Sequence, residues 1–190
     1  MKTVLASIRI FLALTLLTGV VYPLVVIAVA QAFFSRQANG SLLVRDGKPV
    51  GSELIGQNFT REVYFQSRPS ATAYNPLPSG GSNLSPASNA LLSFVRANEA
   101  AFLAANPSAK GRPVPADMLL ASCSGLDPHI SVESALLQAD RVARARGLDS
   151  ARKNEIISLI GRLAEGRDLG FLGEPRINVL KLNLALDEMK

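Results

Sequence analysis

From Ile10 to Phe34 the chain is one unbroken apolar run with no Asp, Glu, Lys or Arg. Roughly 25 residues rising about 1.5 Å each make a helix of about 37 Å, enough to cross a hydrocarbon core of about 30 Å with some tilt. Lys2 and Arg9 precede the run and Arg36 follows it. The pattern predicts a short tail over 1–9, a membrane-crossing helix over 10–34 and one domain over 35–190. A cleaved secretory signal is the competing interpretation, because Ala28-Val29-Ala30 has the small-x-small form of a processing site. Apolar cores of such signals run about 7–15 residues, however, and Phe33 and Phe34 suit the interfacial end of a span. A retained anchor is the expectation. Gly19, Tyr22 and Pro23 lie inside it, where small residues allow close helix approach and proline frees a carbonyl that needs a partner. They are candidate contacts with other membrane helices.

Past the span the periodicity changes. Leu42-Leu43-Val44 and Lys48-Pro49-Val50 flank Asp46-Gly47, a pair suited to a type I′ hairpin turn. Leu54 to Gln57 and Val63 to Phe65 look like further short strands. Residues 68–86 are dense in Pro, Ser, Gly and Asn, a composition that punctuates rather than builds elements. Three helices are expected next. Ser85 would cap the first, with Pro86 at its first position, and Asn106-Pro107 would end it. Ser131 would cap the second, over Val132 to Arg146, with Gly147 as its stop. Asp149 would begin the third, through Ile156, Ile157, Ile160 and Leu163. Arg176 to Leu182 alternates like a half-buried strand. Together these predict an α+β domain behind a single N-terminal transmembrane helix.

Composition narrows the function classes. Of 190 residues, 20 are Lys or Arg and 15 are Asp or Glu, a formal net charge of +5. The cations are scattered apart from Arg141, Arg144, Arg146, Arg152 and Lys153, which look like a mildly basic, solvated face. No basic run is interleaved with aromatics and Trp is absent, so nucleic-acid binding is not expected. Cys123 is the only cysteine, which excludes an intramolecular disulfide framework. Charges flanking the span are balanced and do not fix its orientation.

Three segments carry candidate chemistry. Ser79-Gly80-Gly81-Ser82-Asn83 follows Tyr74-Asn75-Pro76-Leu77-Pro78, and consecutive glycines can turn backbone amides toward an anion. A lysine-bearing phosphate-loop pattern is missing, so a tight loop is the simpler reading. Ser122, Ser124, Asp127 and the single histidine, His129, lie close in sequence and raise a Ser-His-Asp site or a metal site with Asp117. No nucleophile-elbow motif or recognised ligand spacing accompanies them, and a structured turn running into a helix cap is the better reading. Glu174 and Arg176 are a candidate ion pair at the start of the last strand. Taken on residues alone, the chain reads as a membrane-anchored accessory or interaction domain. A membrane-anchored periplasmic hydrolase using Ser122 or Ser124 with His129 is one alternative. A ligand-binding domain built on the Tyr74–Asn83 loop is another.

These segments also carry a resemblance. Leu54-Ile55-Gly56-Gln57, Arg68-Pro69-Ser70-Ala71, Tyr74-Asn75-Pro76 with Ser79 to Leu84, and Pro115-Ala116-Asp117-Met118 belong to it. So do Ser124 to Ser131, Arg141-Val142-Ala143, Gly173-Glu174-Pro175-Arg176 and Asn178-Val179-Leu180. Together they resemble the C subunit of the bacterial high-affinity potassium-transporting P-type ATPase, the Kdp-type complex, over essentially the whole chain. The resemblance implies a non-catalytic subunit in the inner membrane, with its domain outside the cytoplasm near the potassium entrance. It implies three partners: a channel-like potassium-binding subunit, a P-type ATPase subunit and a small membrane subunit. Gly19, Tyr22 and Pro23 would pack within the membrane, and the Asp127-Pro128-His129 turn would belong to a docking surface. No stably bound cofactor is implied. A further family proposal is a catalytic chaperone that raises ATP affinity in a transient ternary complex, with Ser79 to Asn83 as the nucleotide loop. That loop is compared with the transporter signature Leu-Ser-Gly-Gly-Gln, from which Pro78 and Ser82 both depart.

Overall fold

The computed structural model describes residues 2–189. They form two compact units, one ending at Ser52 and one beginning at Glu53.

The first unit is dominated by one apolar helix, Lys2–Phe33, long enough to cross a membrane. It comprises α1 (Lys2–Leu16), a π-helical turn (Leu17–Val21) and α2 (Tyr22–Phe33). It begins before the charge-free run because Val4, Leu5 and Ile8 continue the same apolar pattern. The wide turn sits directly before Pro23, which has no N–H and whose ring crowds the carbonyl four residues back. Tyr22 N–H accordingly bonds to Leu17 O, five residues back. Phe34 leaves helical geometry at φ −135°, and a single turn, α3 (Ser35–Ala38), follows. The expected hairpin is present as β1 (Leu42–Arg45) and β2 (Lys48–Ser52), antiparallel, with a bulge between Leu43 and Val44. Its turn has the two positive φ values a type I′ turn requires, 51° at Asp46 and 74° at Gly47.

In the second unit, the strands expected at Leu54–Gln57 and Val63–Phe65 do not form. At residues 62–66 the reason is a substitution of partners: side chains bond the backbone where a neighbouring strand would. Asn183 bonds both Phe65 N and Phe65 O, at 2.8 and 2.9 Å, and Gln138 does the same for Gln66 at 2.8 and 3.3 Å. Arg141 donates to the carbonyls of Glu62 and Tyr64, and Arg146 to that of Val63.

Helix α4 (Asn89–Ala105) starts later than Ser85, because Ser85 forms a turn that receives Ser88 N and Ser88 then caps Leu91 N. A 3₁₀ turn (Pro107–Ala109) and a short helix α5 (Ala116–Leu119) lead to strand β3 (His129–Ser131). Helix α6 (Val132–Ala145) and helix α7 (Ser150–Leu163) have the expected caps, Ser131 and Asp149. The last segment differs from its expected form. Only Arg176–Asn178 is a strand, β4, and Val179–Glu188 is helix α8. Asn178 caps it by accepting from Lys181 N at 3.1 Å. Val179, Leu182 and Leu186 then recur at helical spacing and are all buried. Strands β3 and β4 pair antiparallel with Ile130 opposite Ile177. Helices α6, α7 and α8 gather on this two-stranded ladder and bury Val142, Ile156, Ile160, Leu182 and Leu186. The unit is α+β.

Candidate functional site

The chemistry-bearing residues of the domain converge where the segment before β3 turns under the loop after Arg68. Asp127 is the centre. Its Oδ2 accepts from Arg68 Nη1 at 2.9 Å, and its Oδ1 accepts from the backbone N–H of His129 at 3.0 Å. The same Oδ1 lies 3.2 Å from His129 Nδ1. Burial pushes the Asp127 carboxyl up, but the hydrogen bonds from His129 and the Arg68 guanidinium outweigh it and hold the group below its ordinary value. The Asp-Pro-His turn is fixed on both sides: Leu126 O accepts from Gly56 N at 2.7 Å, and Pro128 O accepts from Val179 N at 2.9 Å. A cleft opens beside it, lined by Arg68, Asp117, Asp127, His129, Glu174 and Arg176 among others. It brings together residues from four separated motifs.

Each remaining candidate has an identifiable position. Neither serine hydroxyl hydrogen-bonds His129 among the described residues, as a nucleophile–base pair requires. Ser124 Oγ instead accepts from Leu126 N at 3.1 Å, while Ser122 Oγ is buried without a partner. Asp117 is turned to α6, accepting from Ser131 N at 2.7 Å and from the hydroxyls of Ser131 and Ser134. It therefore reinforces the helix cap. The Glu174–Arg176 pair does not form. Glu174 reaches Arg167 at 2.7 Å, and Arg176 takes Asp168 with both Nη atoms at 3.1 and 3.2 Å. That fork holds the Asp168 carboxyl below its ordinary value.

The Ser79–Asn83 loop rests on the segment 122–125. Gly80 N donates to Ser124 O at 2.9 Å, so this amide is committed within the chain. A Cβ on Gly81 would lie 3.2 Å from Cys123 O. Gly125, at φ +70°, could not carry a side chain without meeting Thr72 Oγ1 at 2.6 Å. Ser79, Ser82 and Asn83 remain exposed. Ser70 ties the rest of the loop down, donating to Gly125 O at 2.6 Å and accepting from Tyr74 N at 2.9 Å. In the first unit, Gly19 lies in the π-helical turn, and Tyr22 and Pro23 directly follow it.

Sequence reasoning missed the buried polar network. Arg141, read as part of a solvated basic face, is 4% exposed. Its Nε donates to Asn106 Oδ1 at 3.0 Å and its Nη2 to Gln138 Oε1 at 2.9 Å, and burial lowers its pKa from the usual arginine value. The available signal was spacing. Ser134, Gln138 and Arg141 fall on one helical stripe, the same stripe that turns inward.

A family model described as the K+-transporting ATPase, c chain, matches residues 4–188. The chain belongs to this family. A relative from Methylibium petroleiphilum is 56% identical over 98% of this chain and 98% of its own. One from Polaromonas naphthalenivorans is 53% identical over 100% and 97%. One from Rhodospirillum rubrum is 52% identical over 99% and 96%. All three carry the name potassium-transporting ATPase KdpC subunit. The match to the C-chain family therefore runs through the apolar helix, the hairpin and the domain alike.

Proposed function

We infer that this chain is a membrane-anchored, non-catalytic accessory subunit of an ATP-driven potassium uptake pump, and that its work is to hold the assembled pump together. The observation that carries this reading is the collinear family match, which covers helix and domain in one register. The helix packs among the membrane helices of a channel-like subunit through Gly19, Tyr22 and Pro23. The domain sits on the extracytoplasmic side and docks through the cleft around Asp127, Pro128 and His129. A separate stretch outside that cleft suits docking by other means. Between Arg68 and Arg96 the sequence has no charged residue, and Leu77 and Leu92 stand exposed within that stretch. Depletion of charge around exposed apolar residues is a mark of interface cores.

The test is a pump expressed with and without this chain. Its removal is expected to abolish isolation of an intact complex and coupled potassium uptake. A complex that assembles and transports normally without it overturns the reading.

A further inference from the structure

Within the apolar helix, two independent features sit at adjacent positions. The first is a carbonyl without a donor from its own helix. In a regular α-helix the Tyr22 N–H would bond Thr18 O, but here it bonds Leu17 O. The next residue able to serve Thr18 O is Pro23, which has no N–H. The Gly19 carbonyl loses its ordinary i+4 donor at the same proline. Nor can the Thr18 hydroxyl help, because it donates to Leu14 O at 2.7 Å. The second feature is Gly19 itself. A Cβ built there meets nothing within 4 Å, and its φ lies outside the left-handed region. Neither a turn nor a contact inside this chain explains a glycine that weakens a helix relative to alanine.

Both features sit near the middle of the span Lys2–Phe33. At that depth a bilayer offers no hydrogen-bond donor, and water and lipid headgroups lie far off. A bare backbone patch next to an unserved carbonyl fits an occupant that approaches closely and donates. We propose that the Thr18–Gly19 face is the seat of a second membrane-crossing helix, from a partner chain of the pump, which carries an uncharged donor side chain (a hydroxyl or a carboxamide). That side chain bonds the Thr18 carbonyl while its helix backbone passes over Gly19. Lipid cannot be the occupant for want of a donor. The inference rests on the functional reading above and specifies the contact it requires.

The direct experiment places a 13C=18O label at the Thr18 carbonyl of the full chain and records its infrared stretch in phospholipid vesicles. The chain alone and the assembled pump are compared. A lower frequency in the assembled pump is expected. The same frequency in both overturns the proposal, and so does a lowered frequency in the chain alone that grows with its concentration, which would mean self-association. Gly19→Leu is expected to reduce the amount of chain that co-purifies with its partners at least tenfold. Gly19→Ala is expected to reduce it by a smaller factor, and Val21→Leu, about 200° around the helix from Gly19, should stay within twofold of wild type. If the wild-type chain co-purifies and Gly19→Leu does so equally, this proposal fails while the functional reading stands. If the wild-type chain does not co-purify at all, the functional reading fails.

Discussion

Asp127 and Arg141 both charge the domain's interior margins, yet they respond to the solvent in different ways. The Asp127 carboxyl has a lowered pKa in the folded chain, so its contribution to stability is complete above the ordinary carboxylate value. That contribution is lost as the pH falls through the lowered value, below about pH 4. Asp127→Asn is therefore expected to lower the melting temperature at neutral pH and to flatten its fall on acidification. Circular dichroism melts across the acid range would show a wild-type slope in the variant if this account were wrong. Arg141 carries a different prediction. Arg141→Met strands the oxygens of Asn106, Glu62 and Tyr64, while Gln138 Oε1 keeps the Gln66 N–H, and leaving a buried acceptor unserved costs about 1–3 kcal/mol before relaxation. A loss upward of 3 kcal/mol is expected in urea unfolding, with Arg141→Lys intermediate because it keeps the charge and loses the fork. Arg141 was illegible in the sequence as a buried group, because a cation on an amphipathic helix reads as solvated unless its carbonyl partners are known. These lie 77 and 79 residues away in the chain.

Among elements, the helices with a cap residue immediately before an apolar period were legible, and those framed by distant pairing were not. Ser131 and Asp149 do what their positions imply. Ser85 misled because Ser88, the true cap, offers the same chemistry three residues on, and Pro86 belongs to the turn between them. The stretch from Arg176 satisfied strand alternation and helical spacing together, and Asn178 decides the matter by capping α8 while its Nδ2 donates to Glu53 O at 2.7 Å. Asn178→Ala should cost about 0.5–2 kcal/mol from the cap alone, whereas Asn178→Ser should recover part of it. Hydrogen exchange confined to α8 would register the fraying. Alternation from Arg176 marked β4, but the register that pairs it with β3, three residues each, left no local signal. In the candidate site, the Asp127-Pro128-His129 turn was visible from the sequence, while its tie to Arg68 spans 59 residues and was not.

For the whole molecule, the side of the membrane that receives the domain decides what its loops can touch. A side-dependent reporter fused to the C-terminus in intact cells is expected to report an extracytoplasmic location. That result would exclude direct contact between the exposed Ser79, Ser82 and Asn83 and cytoplasmic ATP. A cytoplasmic signal would reverse the proposed orientation and make that loop a nucleotide site to be tested by Ser82→Ala and Asn83→Ala. The segment Glu62–Ser67 has a consequence of another kind, in biosynthesis. Its backbone is completed by side chains from α6 and α8, and Asn183 follows Phe65 by 118 residues. At about 5–20 residues per second, a ribosome makes Asn183 roughly 6–24 s after Phe65. The apolar helix emerges earlier still. The chain is thus committed to its membrane while the domain is still a nascent, unfolded polymer, and the fold closes only when the last helix leaves the ribosome.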